Sequence, residues 1–198
     1  MMVNQNLLQI LRQKNPELSF GLEESFPMEA FYGESTPLGP ITKLPSEQEK
    51  KIPLSPELAA RSLDFWRNKA GELMADSNFH TNEDMASAYG KMVTSQGNLF
   101  ANQKLIAQAE EAYRLAQQMA PKFPEPTTGL ATLLAENGRV PEAIQALNDF
   151  AWTNPDFKAT GSQASSLSGW LDNFARTHPE QRGALDKFRQ QVIGLDPK

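Results

Sequence analysis

Two stretches of the chain decide the fold: AEEAYRLAQQMAP at Ala109–Pro121 and AIQALNDFAWTNP at Ala143–Pro155. Small residues, a large apolar residue and a proline recur in them at one constant spacing. The matched pairs, each 34 positions apart, are Ala109 and Ala143, Ala112 and Ala146, Tyr113 and Leu147, and Pro121 and Pro155. A 34-residue period is typical of arrays of helical hairpins, in which each unit is a helix, a turn and a second helix. The sequence therefore predicts a mainly α protein built on helical repeats.

The helices that precede these stretches repeat with a different spacing. AYGKMVTSQG at Ala88–Gly97 matches GLATLLAENG at Gly129–Gly138, and the matched residues lie 41 apart, seven more than the period. We therefore expect about seven extra residues within Asn98–Gln108, which lengthen the second helix of the first repeat by about two turns. Gly97 and Gly138 are expected to end the first helices in the left-handed conformation that glycine tolerates.

These patterns resemble the tetratricopeptide repeat family, over residues 83–157. The resemblance implies an α–α superhelix with repeats at residues 83–123 (with the insertion) and 124–157, and a degenerate capping unit at residues 164–197. A frayed last unit is typical of repeat arrays, whose terminal repeats face water. Thr177–Glu180 is predicted to cap the last helix of that unit.

In this family the first helix of each repeat lines a concave face that binds peptides. By the family pattern, the positions expected to contact a partner are Ser87, Lys91, Thr94, Thr128, Thr132 and Glu136. Only Lys91 among them is basic, so the chain departs from members that clamp a terminal carboxylate with lysine and asparagine. A weakly polar groove suits an extended segment, either of a protein partner or of the chain's own amino-terminal arm. A groove that is merely solvated is the competing interpretation.

Residues 1–54 form a different segment. Prolines recur from Pro27 to Pro56, and proline fixes φ and lacks an N–H, so we expect an irregular, extended arm with neither a long helix nor a central strand. One short strand is predicted just before it, at Ser19–Leu22. A short amphipathic helix is predicted at the amino terminus, with one apolar stripe formed by Leu7, Leu8, Ile10 and Leu11.

The helical domain is predicted to cover residues 55–198. Ser55 is expected to act as the N-cap of its first helix, with Pro56 at the first helical position. Thr81–Asp84 is predicted to form a capping box that opens a further helix.

Composition excludes several classes of function. The chain has 24 acidic and 19 basic residues, a formal net charge of −5, which argues against nucleic acid as a partner because phosphate binding needs concentrated Lys and Arg. It has no cysteine, which excludes disulfides and thiolate chemistry. No apolar run approaches the ~18 residues that span a bilayer, so no transmembrane segment is expected. The amino terminus lacks the basic region and cleavage site of a signal peptide.

Residues that could carry chemistry are few. The only histidines, His80 and His178, lie far apart in the sequence. The adjacent acids Glu110-Glu111 do not face each other on a helix and are expected to be solvated, and Glu23-Glu24 is a weak signal. Trp152 falls at a repeat position that is usually exposed. We therefore expect no catalytic residue, no metal ligand and no cofactor, and the protein is predicted not to be an enzyme.

The arm carries a second resemblance. Asn15-Pro16, Glu23–Pro27, the Pro37–Pro40 turn, and Asp64 with Trp66 are similar to the segment after the last membrane span in a bacterial multi-span family of unknown function. That family is itself similar to protein O-mannosyltransferases. Its members usually have a histidine within the turn, where this chain has leucine. The likeness covers about residues 1–75 and implies that the chain is the extracytoplasmic, soluble tail of a bacterial membrane protein.

Two functions follow as expectations. The first is a non-catalytic protein-interaction or scaffold domain, at the extracytoplasmic face of a bacterial membrane if the tail resemblance holds and cytoplasmic otherwise. The second is an accessory domain that positions a glycan or polypeptide acceptor for a membrane glycosyltransferase. The first predicts a protein or peptide partner.

Overall fold

A computed structural model describes residues 2–23, 29–49 and 53–194. These residues form nine α-helices, two 3-10 turns and one small three-stranded sheet, which confirms the predicted mainly α class. The chain divides into two compact units, Met1–Ala120 and Pro121–Lys198. The predicted boundary after residue 54 stays a prediction, and so does the stacking of the repeats into a superhelix.

The first unit begins with helix α1 (Met2–Lys14), followed by a small antiparallel sheet. Its strands are β1 (Phe20–Leu22), β2 (Thr36–Leu38) and β3 (Ile41–Leu44), and a 3-10 turn covers Glu29–Phe31. The strand order is β1-β3-β2, with Phe20 opposite Leu44 and Leu38 opposite Ile41. The strand predicted at Ser19–Leu22 is therefore confirmed as β1.

The expectation that the proline-rich stretch holds no central strand is wrong. β3 lies between the other two strands, and it forms because no proline falls between Pro40 and Pro45. Pro37 lies in β2, at the edge of the sheet, where a missing N–H leaves no ladder bond unmade. The Pro27 end of the stretch lies outside the described residues.

The predicted apolar stripe of α1 is also corrected. Leu8 alone of the four residues is buried, in a cluster with Phe31 and Leu44, while Leu7, Ile10 and Leu11 are exposed. The sheet side of α1 carries Leu8 and, one turn later, Arg12. The Arg12 guanidinium pairs with the Glu34 carboxylate at 2.6 Å and donates to the backbone oxygen of Pro45 at 3.3 Å. A helix turns by about 100° per residue, so the neighbours of Leu8 point elsewhere.

Four helices complete the first unit: α2 (Pro56–Met74), α3 (Ser77–Thr81), α4 (Glu83–Asn102) and α5 (Ile106–Met119). Ser55 caps α2 as predicted, because its side chain accepts from the backbone N–H of Leu58. The predicted cap of α4 is wrong by one residue: Asn82, not Thr81, accepts from the N–H of Met85. Thr81 is the last residue of α3, which the sequence pattern did not separate from its neighbours.

The second unit contains α6 (Glu125–Glu136), α7 (Val140–Thr153), α8 (Gly161–Thr177), a 3-10 turn (Pro179–Gln181) and α9 (Arg182–Val192). The predicted capping of α9 by Thr177 is wrong. The Thr177 hydroxyl donates back to the carbonyl oxygens of Asn173 and Phe174 inside α8, and the residue that precedes α9, Gln181, makes no side-chain cap.

The hairpins α4–α5 and α6–α7 are the most extensively packed helix pairs of their units. Helix α7 begins and ends 34 positions after α5, and the two helices are equal in length. Helix α4 has 20 residues and α6 has 12. The extra length therefore lies in the first helix of the first hairpin, at its amino-terminal end, and the expected insertion within Asn98–Gln108 is wrong.

The glycine that was expected to end α4 does not do so. Gly97 lies inside α4, and the left-handed residue after that helix is Lys104 (φ 61°). Gly138 follows α6 in the left-handed conformation (φ 76°), as predicted, and it lies 34 positions after Lys104. One interval of 34 positions thus relates both the first and the second helices of the two hairpins. At this interval Gly97 corresponds to Ala131, and Gln96 corresponds to Leu130.

Candidate functional site

The three concave positions predicted in α4 differ in accessibility. Ser87 is half-buried and Lys91 is exposed, and both lie toward the amino-terminal end of α4. At the interval of 34 positions that relates the two hairpins, Lys91 corresponds to Glu125, the first residue of α6. Ser87 therefore lies in the amino-terminal part of α4 that has no counterpart in α6. Thr94 is buried, with 7% of its surface exposed, and its hydroxyl donates to the Gly90 carbonyl oxygen at 2.7 Å. Only a small part of Thr94 is therefore open to a partner.

A second face of α4 holds the arm. The Gln96 side chain is 2% exposed; its Nε2 donates to the Gly39 carbonyl oxygen at 2.8 Å, and its Oε1 accepts from the Ser62 hydroxyl at 2.5 Å. Gln103 donates to the carbonyl oxygen of Tyr32 at 2.6 Å. These bonds connect the arm to α4 and to Gln103, the residue that follows it, and they connect α4 to α2 within the first unit. These contacts do not test the prediction that the arm occupies the concave groove, which remains a prediction.

In the second unit, the predicted positions Thr128 and Thr132 lie one turn apart on α6 and are half-buried. The Thr132 hydroxyl donates to the Thr128 carbonyl oxygen and accepts from the Trp170 indole N–H, each at 2.9 Å. Trp170 belongs to α8, so this bond joins the two helices. Glu136 is exposed at the carboxyl end of α6. The structure thus brings Thr128 and Thr132 to one surface, facing α8.

A small open pocket lies on this surface. Its volume is about 60 Å³, and it is lined by Pro124, Glu125, Thr128, Gln163, Ser166, Leu167 and Trp170. Pockets that enclose cofactors or drug-sized ligands usually have ≈ 300–1,000 Å³. This pocket is therefore of a size to hold part of one side chain. We call the surface that carries it, formed by Thr128, Thr132, Gln163, Ser166 and Trp170, the α6–α8 groove.

Sequence reasoning missed the α8 side of the groove. The signal was present: Leu167, Leu171 and Phe174 recur at helical spacing and are buried. That stripe leaves Gln163, Ser166 and Trp170 on a neighbouring face. The concave positions of the family pattern could be assigned to this sequence only as far as α6, because the degenerate capping repeat at residues 164–197 does not keep the spacing of the other repeats.

The other residues that could carry chemistry are dispersed. The His178 ring lies against the Phe174 ring, with ring centroids 4.8 Å apart and planes tilted by 43°. Glu110 pairs with Arg114 and Glu111 with Arg67, so the two adjacent acids face different partners. The side chain of His80 and the whole of Glu24 lie outside the described residues.

Two further observations concern metals and the tryptophans. The residues that the structure describes hold no group of three or more His, Asp or Glu side chains placed to bind a metal ion. Trp66 is buried, Trp170 is half-buried and Trp152 is 86% exposed on α7, in agreement with its predicted position.

The side chains whose pKa values are shifted form hydrogen-bonded pairs on the surface of the first unit. A hydrogen bond from Lys43 lowers the pKa of Glu49, and one from Ser55 lowers the pKa of Glu57. Glu111 raises the pKa of Arg67 through a hydrogen bond. Catalytic sites usually shift pKa values by burial in a cleft, whereas these shifts arise in exposed structural contacts.

Comparison with known proteins adds no relative: no family model matches the chain, and no curated protein is significantly similar to it in sequence. Within the described part of the chain, none of the helices combines the length and the apolar character that crossing a membrane requires.

Proposed function

We propose that this chain is a non-catalytic, tetratricopeptide-like protein-interaction module, and that its α6–α8 groove binds an extended peptide segment. The observation that carries the proposal is the pocket between α6 and α8, which has room for one side-chain end and opens beside two hydroxyl-bearing residues, Thr128 and Ser166. Peptide-binding grooves typically combine a small pocket for an anchoring side chain with polar groups for the backbone.

The rigidity of the groove supports this proposal. Trp170 is held in place by the bond to Thr132 and by contact with Phe174, whose ring centroid lies 5.0 Å away. An aromatic side chain that is already fixed loses little conformational entropy when a ligand contacts it. Part of the pocket lining is also apolar, because Pro124, Leu167 and Trp170 contribute to it.

The location of the module is part of the proposal. The likeness of the arm to the soluble tail of bacterial membrane proteins supports an extracytoplasmic position, with the membrane attachment supplied from outside this chain. On this view the module recruits a partner to the membrane surface.

A selection experiment tests the binding function. A phage-displayed library of random linear peptides is panned on the purified chain, and enriched peptides are resynthesised for affinity measurement. We expect a family of peptides that binds the wild-type chain and loses at least about tenfold in affinity for a Thr128→Arg/Ser166→Arg variant, since two long side chains would fill the pocket.

The control is Asn148→Arg, which adds the same kind of side chain at an exposed position of α7. It should leave peptide affinity unchanged, and far-UV circular dichroism should show all variants folded. Enriched peptides that bind wild type and the double variant equally would contradict the proposal. So would a selection that enriches none.

A further inference from the structure

Several polar hydrogens around the pocket are already used within the protein. The Thr128 hydroxyl donates to the backbone oxygen of Glu125 at 2.9 Å, and the Thr128 N–H donates to the Pro124 oxygen at 3.0 Å. The Trp170 indole N–H, which comes from α8, donates to the Thr132 hydroxyl at 2.9 Å. These hydrogens are therefore not available to a ligand.

Two side chains on the α8 side of the pocket keep their hydrogen-bonding capacity. Gln163 and Ser166 lie one turn apart and line the pocket, and neither has a hydrogen-bond partner among the residues that the structure describes. The neighbouring Ser165 differs, because its hydroxyl donates to the Gly161 carbonyl oxygen of its own helix. A carboxamide and a hydroxyl can each both donate and accept. This capacity matches a peptide unit, which offers one N–H and one C=O.

Charge does not select the ligand at this pocket. Of the described residues that line it, Glu125 alone is charged, and Glu125 already interacts with another residue of the protein. Glu125 also lies in the first turn of α6, where its negative charge and the positive end of the helix dipole offset each other. The lining therefore favours neither a cation nor an anion.

The rest of the lining suits an aliphatic side chain. Pro124, Leu167 and Trp170 contribute to it, and most of the lining that solvent reaches is apolar. An apolar side chain that covers this surface removes both from water, whereas a charged end would lose hydration without gaining an opposite charge. The pocket volume of about 60 Å³ is roughly that of two water molecules, which is enough for the end of a leucine side chain.

Resting on the proposed function, we infer that the pocket receives an uncharged aliphatic side chain of the bound segment, while the Gln163 carboxamide hydrogen-bonds to the backbone of that segment. Ser166, one turn further along α8, is placed to bond the same stretch of backbone. The groove thus selects its segment by an apolar anchor and by the peptide units beside it.

Four blocked peptides, Ac-Ala-Ala-X-Ala-Ala-NH₂ with X as leucine, asparagine, lysine or glutamate, test the anchor. Binding to the ¹⁵N-labelled full chain is followed by NMR through the Trp170 indole N–H signal, which is assigned by its loss in Trp170→Phe. Asparagine has nearly the shape of leucine but is polar. We expect the leucine peptide to bind roughly tenfold more tightly than each of the others, since two buried methyl groups contribute about that factor.

Methylating the nitrogens of the leucine peptide one at a time tests the backbone contact. At one position, methylation should weaken binding to the wild-type chain by roughly fivefold more than it weakens binding to Gln163→Met, because one neutral hydrogen bond contributes about that factor. Gln163→Met keeps the length of the side chain and removes its amide. The matched control is Gln190→Met, at an exposed position of α9, which should respond to each methylation as the wild-type chain does.

The outcomes separate this inference from the proposed function. Asparagine, lysine or glutamate peptides that bind as tightly as the leucine peptide would overturn the inference and leave peptide binding intact. Methylation effects that are the same in the wild-type chain and in Gln163→Met would also overturn it. If none of the four peptides moves the Trp170 signal, both the inference and the proposed role of the groove fail.

Discussion

Replacing Gly97 by alanine is a direct test of how the first hairpin packs. A Cβ atom at Gly97 would lie 2.7 Å from Cε1 and 2.8 Å from Cδ1 of the Tyr113 ring. Both distances are far below ordinary contact. The ring cannot withdraw freely, because Tyr113 is 3% exposed and its hydroxyl donates to Oδ1 of Asn98 at 2.7 Å.

Two opposing effects set the size of the change. Alanine is favoured over glycine in a helix interior by up to about 1 kcal/mol. Forcing an extra methyl group into a packed core typically costs ~1–3 kcal/mol. Gly71 supplies the matched control, since it lies in α2 of the same unit and its added Cβ would meet no atom within 4 Å. We therefore expect Gly97→Ala to be less stable than Gly71→Ala by roughly 1–3 kcal/mol.

Urea denaturation measures this difference in the first unit. In a background with Trp152→Phe and Trp170→Phe, the remaining tryptophan is Trp66, which is buried in that unit, so its fluorescence reports the unit's unfolding. Equal stability of Gly97→Ala and Gly71→Ala would refute the packing described for the hairpin.

A second substitution tests the same contact by rescue. Tyr113→Leu, combined with Gly97→Ala, recreates the residues Ala131 and Leu147 that stand 34 positions later. The smaller leucine leaves room for the methyl group, so the two changes should couple favourably by about 1–2 kcal/mol in a double-mutant cycle. Purely additive effects would contradict the close contact between Gly97 and the Tyr113 ring.

Three further substitutions probe other contacts. Ala143→Leu adds bulk at a fully buried position of the second hairpin and should cost ~1–3 kcal/mol; an unchanged melting temperature would contradict the close packing of α6 and α7. Gln96→Ala leaves buried polar groups without their partner and should cost about 1–3 kcal/mol in urea denaturation, and adding Ser62→Ala should recover part of that loss. Arg12→Met leaves the Glu34 carboxylate without its main cation and should destabilise the first unit by about 3 kcal/mol, whereas Arg12→Met with Glu34→Gln should come closer to wild type.

The hairpins were predictable because their signal is local. The spacing of Ala109, Tyr113 and Pro121 from their counterparts gives the bounds of α5 and α7 to within a few residues. The first helices were misaligned by seven positions, because Gly97 and Gly138 look alike in sequence. Glycine serves two different needs at those places: Gly97 allows a close approach of Tyr113 inside a helix, whereas Gly138 allows a positive φ after one.

Other features depend on contacts that a local pattern does not contain. The central position of β3 follows from its pairing with β1. The 3-10 turn and β2 lie between these two strands along the chain, and the periodicity of a sequence cannot show a pairing over such a distance. The exposure of Leu7 and Ile10 follows from which side of α1 the sheet covers. The pocket in the α6–α8 groove needs α8 to lie against α6. Helix α8 belongs to the degenerate capping repeat predicted at residues 164–197, whose sequence signal is the weakest of the three repeats.

The correct register exposes a difference between the hairpins that bears on function. Leu130 is buried in α6, as expected for a position that packs between helices, but α4 has Gln96 at the corresponding place. A buried glutamine is tolerated when its amide is hydrogen-bonded, and here its oxygen accepts from Ser62 and its nitrogen donates to the Gly39 carbonyl of the arm. In the first hairpin, the position that packs between helices is therefore used for hydrogen bonds to the arm and to α2. The second hairpin keeps leucine there and leaves its polar residues, Thr128 and Thr132, on the face toward α8. The two hairpins thus have the same order of helices and differ in what their first helices contact. The first hairpin holds the arm, and this difference is why we propose ligand binding for the second.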